Sequence, residues 1–131
     1  MPSAFKFDLV SPERVLISAD AEQVLVPGSD GDFAVLAGHA PVISTLRPGI
    51  IEAKLAGGKV VRMFVKGGFA EVEPERLTIL AEQAMDVASL DAAGVARERK
   101  LADDALGAAK DDEARFAATS AIAALQDLTA A

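Results

Sequence analysis

Near Val87 the grammar of this chain changes, and that change constrains the fold more than any single motif. Before it, Val, Ile, Leu and Phe alternate with polar residues in short runs divided by glycine and proline, the period-two pattern of half-buried strands. Phe5, Phe7 and Leu9 fall on one face of a first strand with Lys6 and Asp8 on the other, and Val15 with Ile17 repeats the alternation. Further pieces run over Gln23 to Val26, Ile50 to Leu55, Val60 to Val65, Phe69 to Val72 and Leu77 to Leu80, with apolar segments at Phe33 to Leu36 and Val42 to Leu46. Gly57-Gly58 suits the positive φ values of a primed hairpin turn, and Glu73-Pro74-Glu75 a turn in which proline presets φ. Short antiparallel strands at this spacing hide their edges by closing or by stacking as two sheets. Residues 1–87 are therefore expected to form an all-β sandwich or flattened barrel of about ten short antiparallel strands. A βαβ fold would need intervening helices, and the pattern contains none.

From Ser89 onward the grammar is helical, and residues 88–131 are read as a second unit. Ser89 is a candidate N-cap, and Leu90 to Ala109 contains no proline. Asp111 and Asp112 offer acids at the start of a second helix, Ala114 to Leu128. So short a link predicts an antiparallel helical hairpin. Its expected seam sets Ala96, Ala102, Ala105 and Ala109 against Ala117, Ala121 and Ala124, with Leu101, Leu106, Ile122, Leu125 and Leu128 as the larger groups. Alanine buries little apolar area, so such a hairpin is marginal alone and needs a surface to dock on.

Charge and composition narrow the partners. The formal net charge of −7 opposes nucleic-acid phosphates and anionic membrane surfaces, leaving neutral or basic partners. Cysteine is absent, which removes disulfides and thiolate metal sites. No run approaches the roughly 20 apolar residues of a membrane span, and MPSAFKFDL lacks the layout of a secretory signal. A soluble protein without direct membrane insertion is expected.

The functional signal concentrates between Pro27 and Gly49. Gly28, Gly31, Gly38 and Gly49 permit positive φ or close backbone approach, while Pro41 and Pro48 push the preceding residues toward extended geometry. Asp30 and Asp32 read as turn acids, and His39, the lone histidine, as a turn-stabilising ring satisfied by nearby backbone. No second histidine or cysteine is present to share a metal with it. Gly28-Ser-Asp-Gly-Asp lacks the lysine and hydroxyl of a phosphate loop, and Ser29, Ser44, Thr45 and His39 show no nucleophile-elbow pattern. Gly67-Gly68 reads as a bulge or tight strand crossing. No catalytic residues and no cofactor are expected. A free-standing adaptor domain would share these features.

The order of motifs adds a further argument. Phe5-x-Phe-x-Leu-Val-Ser-Pro-Glu13, Val26-Pro-Gly, Gly31-Asp-Phe, Gly38-His-Ala-Pro41, Leu46-Arg-Pro-Gly49, Gly67-Gly-Phe-Ala-Glu-Val72 and Leu77-Thr-Ile-Leu-Ala81 run collinearly. In that order they resemble the epsilon subunit of bacterial F-type ATP synthases. The resemblance implies a non-catalytic central-stalk rotor subunit, peripheral on the cytoplasmic face of the inner membrane. Its sandwich would bind the gamma subunit and the polar loops of the c-ring, and its hairpin would fold on the sandwich or extend toward the alpha/beta hexamer to hinder hydrolysis. It would place Asp30, Gly31 and Asp32 at the c-ring and Gly38, His39, Ala40 and Pro41 at gamma.

Two departures from that family carry consequences. Some bacterial members hold a regulatory ATP with an Ile/Leu-Asp-x-x-Arg-Ala box; here Leu90-Asp91 begins it but Gly94 replaces the arginine, removing the bidentate phosphate donor. Arg97 lies one turn later. Five bases against eight acids leave the hairpin region at −3, which predicts weak inhibition, because docking in the family is associated with basic helices meeting an acidic segment. Ala34 stands where glycine is common, which predicts a negative φ there.

Overall fold

The computed structural model describes residues 4–130; residues 1–3 and 131 of the two-unit division lie outside them. The strands are β1 (Phe5–Val10), β2 (Val15–Gly28), β3 (Gly31–Val35), β4 (Val42–Thr45), β5 (Gly49–Leu55), β6 (Val60–Val65), β7 (Gly68–Val72), β8 (Arg76–Ala81) and β9 (Ala84–Asp86). A single 3₁₀ turn, Val87–Ser89, leads to α1 (Ala92–Ala108) and α2 (Asp112–Ala130). The sandwich followed by a helical hairpin is the architecture the sequence predicts, with nine strands among the described residues rather than about ten.

Hydrogen bonding runs continuously in the order β4-β7-β8-β1-β2-β5-β6-β9, and β3 also pairs with β2. The 14-residue β2 joins the two layers: Val15 to Ala21 pair with β1, Ala21 to Leu25 with β5, and Val24 to Gly28 with β3. The pieces at Val15 and Gln23 are thus one strand, its register shifting between Ala21 and Gln23. The strands are not all antiparallel as expected. β1 and β8 pair parallel, Lys6 opposite Arg76 through Val10 opposite Leu80, because β8 enters the sheet far along the chain.

Alternation fills the core as predicted. Phe5, Phe7 and Leu9 meet Val24, Val26, Ile51, Val65, Val72, Leu77 and Ile79 between the layers, all buried. Gly57 and Gly58 both adopt φ +95 in the β5–β6 turn, and no non-glycine residue among those described has positive φ, so Ala34 is in the ordinary region. Gly67 and Gly68 make the tight crossing: at Gly68 a Cβ would lie 1.9 Å from the Leu80 carbonyl oxygen.

The second half of β6, Met63 to Val65, is buried on both faces. Met63 and Val65 point into the sandwich, while Phe64, fully buried, joins Ala102, Ala121, Ala124 and Leu125 in a second apolar cluster with Ile50, Met85, Val87 and Leu90 at its margin. This is the docking surface that the alanine-rich hairpin requires. The seam differs in detail from the expected one, since Ala96, Ala105 and Leu101 are exposed and Ala118 is buried. Ser89 is not the cap of α1. Asp91 takes that role, its Oδ1 accepting from the Gly94 N–H at 2.7 Å, and Asp111 caps α2 through the Ala114 N–H at 2.7 Å.

Candidate functional site

The residues singled out between Pro27 and Gly49 lie at the two ends of β3. Asp30 is exposed in the β2–β3 turn, Gly31 opens β3 at φ +137, and Asp32 follows on the exposed edge. Asp32 is a strand residue, not a turn acid, and it receives a hydrogen bond from Arg47 Nη2. Arg47 also donates through Nη1 to the Gly28 carbonyl at 2.6 Å, and its backbone N–H reaches Pro27 O at 3.0 Å. One half-buried guanidinium thereby fixes the β2–β3 turn to the β4–β5 connection. Gly28 and Gly49 serve close approach: a Cβ at Gly28 would meet Gly31 O at 2.7 Å, and one at Gly49 would meet Pro27 Cβ at 2.8 Å.

Beyond the other end of β3, Gly38 takes φ +83 and donates to Pro74 O at 2.8 Å, joining this loop to the β7–β8 turn. The half-buried His39 ring places Nδ1 2.8 Å from Ala40 O and lies 6.4 Å, centroid to centroid, from Phe33. Its Nδ1 thus has a local backbone partner. Ala40 and Pro41 are exposed and lead directly into β4.

What the sequence reading missed is the outer face of the layer that β4 edges. Register sets Thr45, Phe69, Leu80, Val10 and Val15 in one row across five strands, with Ile43 diagonal to Phe69. Ile43 is 70% exposed, Val15 60%, Phe69 43% and Leu80 39%. Scattered apolar residues are ordinary on surfaces, but a contiguous row on one sheet face marks an interaction surface. In sequence these positions look like core strand residues; only the register of β7 against β8 turns Phe69 and Leu80 outward together.

At the start of the hairpin, Leu90 packs in the second cluster, Asp91 is consumed as the helix cap, and Gly94 is buried. A Cβ at Gly94 would lie 3.2 Å from Leu90 Cδ2 and 3.6 Å from Arg97 Nη2. These three residues therefore build a helix start and present no phosphate donor from a side chain at position 94. No helix among the described residues is long and apolar enough to cross a membrane.

Comparison with known proteins bears on both units. Residues 4–87 match the family model for the ATP synthase delta/epsilon chain beta-sandwich domain. An ATP synthase epsilon chain of Parvibaculum lavamentivorans is 50% identical over 128 residues, covering 98% of this chain and 97% of the relative. That of Rhodospirillum rubrum is 47% identical over 132 residues, covering 100% and 98%. Among solved structures, a chain of the Euglena gracilis mitochondrial ATP synthase, OSCP/F1/c-ring, superposes with TM-score 0.75 at 23% identity, covering 99% of this chain and 82% of that one. Both units follow relatives over nearly their whole length, and the chain belongs to the ATP synthase delta/epsilon family, among its epsilon chains.

Proposed function

We propose that the protein is a non-catalytic rotor subunit of the central stalk, peripheral on the cytoplasmic face of the inner membrane, that couples the c-ring to the gamma subunit. The observation that carries this reading is the apolar row of Ile43, Phe69, Leu80 and Val15 on the layer away from the hairpin. A shaft subunit that turns with its partner needs a desolvated anchor, and this row supplies it. The exposed acids Asp30 and Asp32 offer the opposite kind of contact, suited to polar loops carrying basic side chains. The hairpin, folded on β5 and β6, is the regulatory element, and the −3 charge of its region weakens its hold on an acidic hexamer surface.

The test is binding of purified chain to the gamma subunit. Ile43→Glu with Phe69→Glu should weaken binding by about a hundredfold, as loss of a central apolar anchor does, with unchanged circular dichroism. Unchanged affinity would remove the proposed anchor, and a free adaptor role would then require a different partner.

A further inference from the structure

One charged residue sits where the helix period calls for an apolar one. Val95, Glu98 and Ala102 fall on a single stripe of α1, and both Val95 and Ala102 belong to the cluster that packs on Phe64. Glu98 lies between them with its side chain only 14% exposed. Its carboxylate is held by Lys66 Nζ at 2.7 Å, and Lys66 is itself anchored at the end of β6 by its backbone N–H to Gln83 O. Among the described residues this is the only ion pair between the sandwich and the hairpin. The two residues are also the only charged ones lining a cleft of about 370 Å³ between the sandwich and the hairpin, whose other walls include Phe64, Leu101, Ala117 and Ala121.

We infer that the Lys66–Glu98 pair is a release catch, which holds the hairpin on the sandwich and keeps that docking reversible. A partly buried ion pair has this double character. Removing one partner leaves the other charge poorly hydrated beside alanine and phenylalanine, which favours lifting of the helix to rehydrate it. Replacing both by apolar side chains of similar size removes the desolvation cost and closes the joint more firmly than the pair does. An apolar residue at each position would have made a permanent dock; the chain instead carries charges at both, beside a cleft that leaves the interface loosely filled. The inference rests on the regulatory reading of the hairpin only for its meaning in the enzyme, and docking is measured separately from hydrolysis.

The absence of cysteine makes the measurement direct. Ala102→Cys places a thiol at a position 7% exposed in the docked state, and its modification by a maleimide carrying a polyethylene glycol too large for the cleft reports undocking of the full-length chain. Adding Glu98→Gln or Lys66→Met should raise the rate about tenfold, the effect of losing one charge-assisted bond. Lys66→Met with Glu98→Leu should instead lower it below that of the parent, and the charge swap Lys66→Glu with Glu98→Lys should return it toward the parent. Circular dichroism of each variant guards against general unfolding. Single variants that label at the parent rate, or an apolar double variant that labels as fast as the singles, would overturn the catch. Hydrolysis by the assembled enzyme is read independently, and a hairpin that undocks as stated without even the small rise expected of a weak inhibitor would refute the regulatory reading alone.

Discussion

At the scale of single residues, glycine carries two opposite instructions in this chain. Gly68 sits at φ +118 with the Leu80 carbonyl where a side chain would begin, so Gly68→Ala must move backbone in two strands. It should cost about 3 kcal/mol or more, seen as a large fall in the denaturant midpoint. Gly107, inside α1 with open space around it, has no such demand, and Gly107→Ala should stabilise by about 0.5 kcal/mol because alanine is the better helix former. Some of this is legible in sequence: the glycines of the Pro27–Gly49 segment announce positive φ or close contact, and Gly31, Gly38, Gly28 and Gly49 divide between the two. The pairing of Asp32 with Arg47 is not legible, since it joins residues 15 apart across a register that local pattern does not specify.

Among elements, β6 explains why the hairpin docks where it does. Its sequence, Val60 to Val65, reads as a strand in either kind of sheet, and a run of buried residues becomes meaningful only when both faces are seen to be covered. Phe64→Ala should therefore loosen the hairpin and spare the sandwich, costing about 3 kcal/mol of docking. Hydrogen exchange should accelerate in α1 and α2 while β1, β2 and β8 keep their protection; equal acceleration throughout would mean that the two clusters fold as one. The same logic explains the misplaced cap. Ser89 and Asp91 both satisfy the local preference for an N-cap, and the choice falls to Asp91 because Val87 and Leu90 are drawn into the second cluster, which holds Val87–Ser89 as a separate turn. The short β9 was hidden for a related reason: Ala84, Met85 and Asp86 carry no alternation of their own and become a strand by pairing with β6.

For the molecule as a whole, the two layers face different surroundings. One turns its apolar row outward, the other hides its own beneath the hairpin. Deleting the residues beyond Val87 would uncover Phe64, Ile50 and Met85, so the truncated chain should be made with Phe64→Thr to avoid self-association. In the assembled synthase this truncation should raise ATP hydrolysis by less than about twofold, if the −3 charge of the hairpin region weakens its hold as proposed; a rise many times larger would show that the hairpin inhibits despite its charge. The sandwich and its hairpin were readable because period and punctuation are local properties. The parallel β1–β8 pair was not, because it depends on where the chain returns after some seventy residues. β2 has a mechanical consequence of its own. One unbroken length of backbone belongs to both sheets, so a twisting load applied to either is carried across by covalent bonds and not by side-chain friction. A body built this way resists shear between its halves, and torque entering at one face leaves at the other with little lost to slippage.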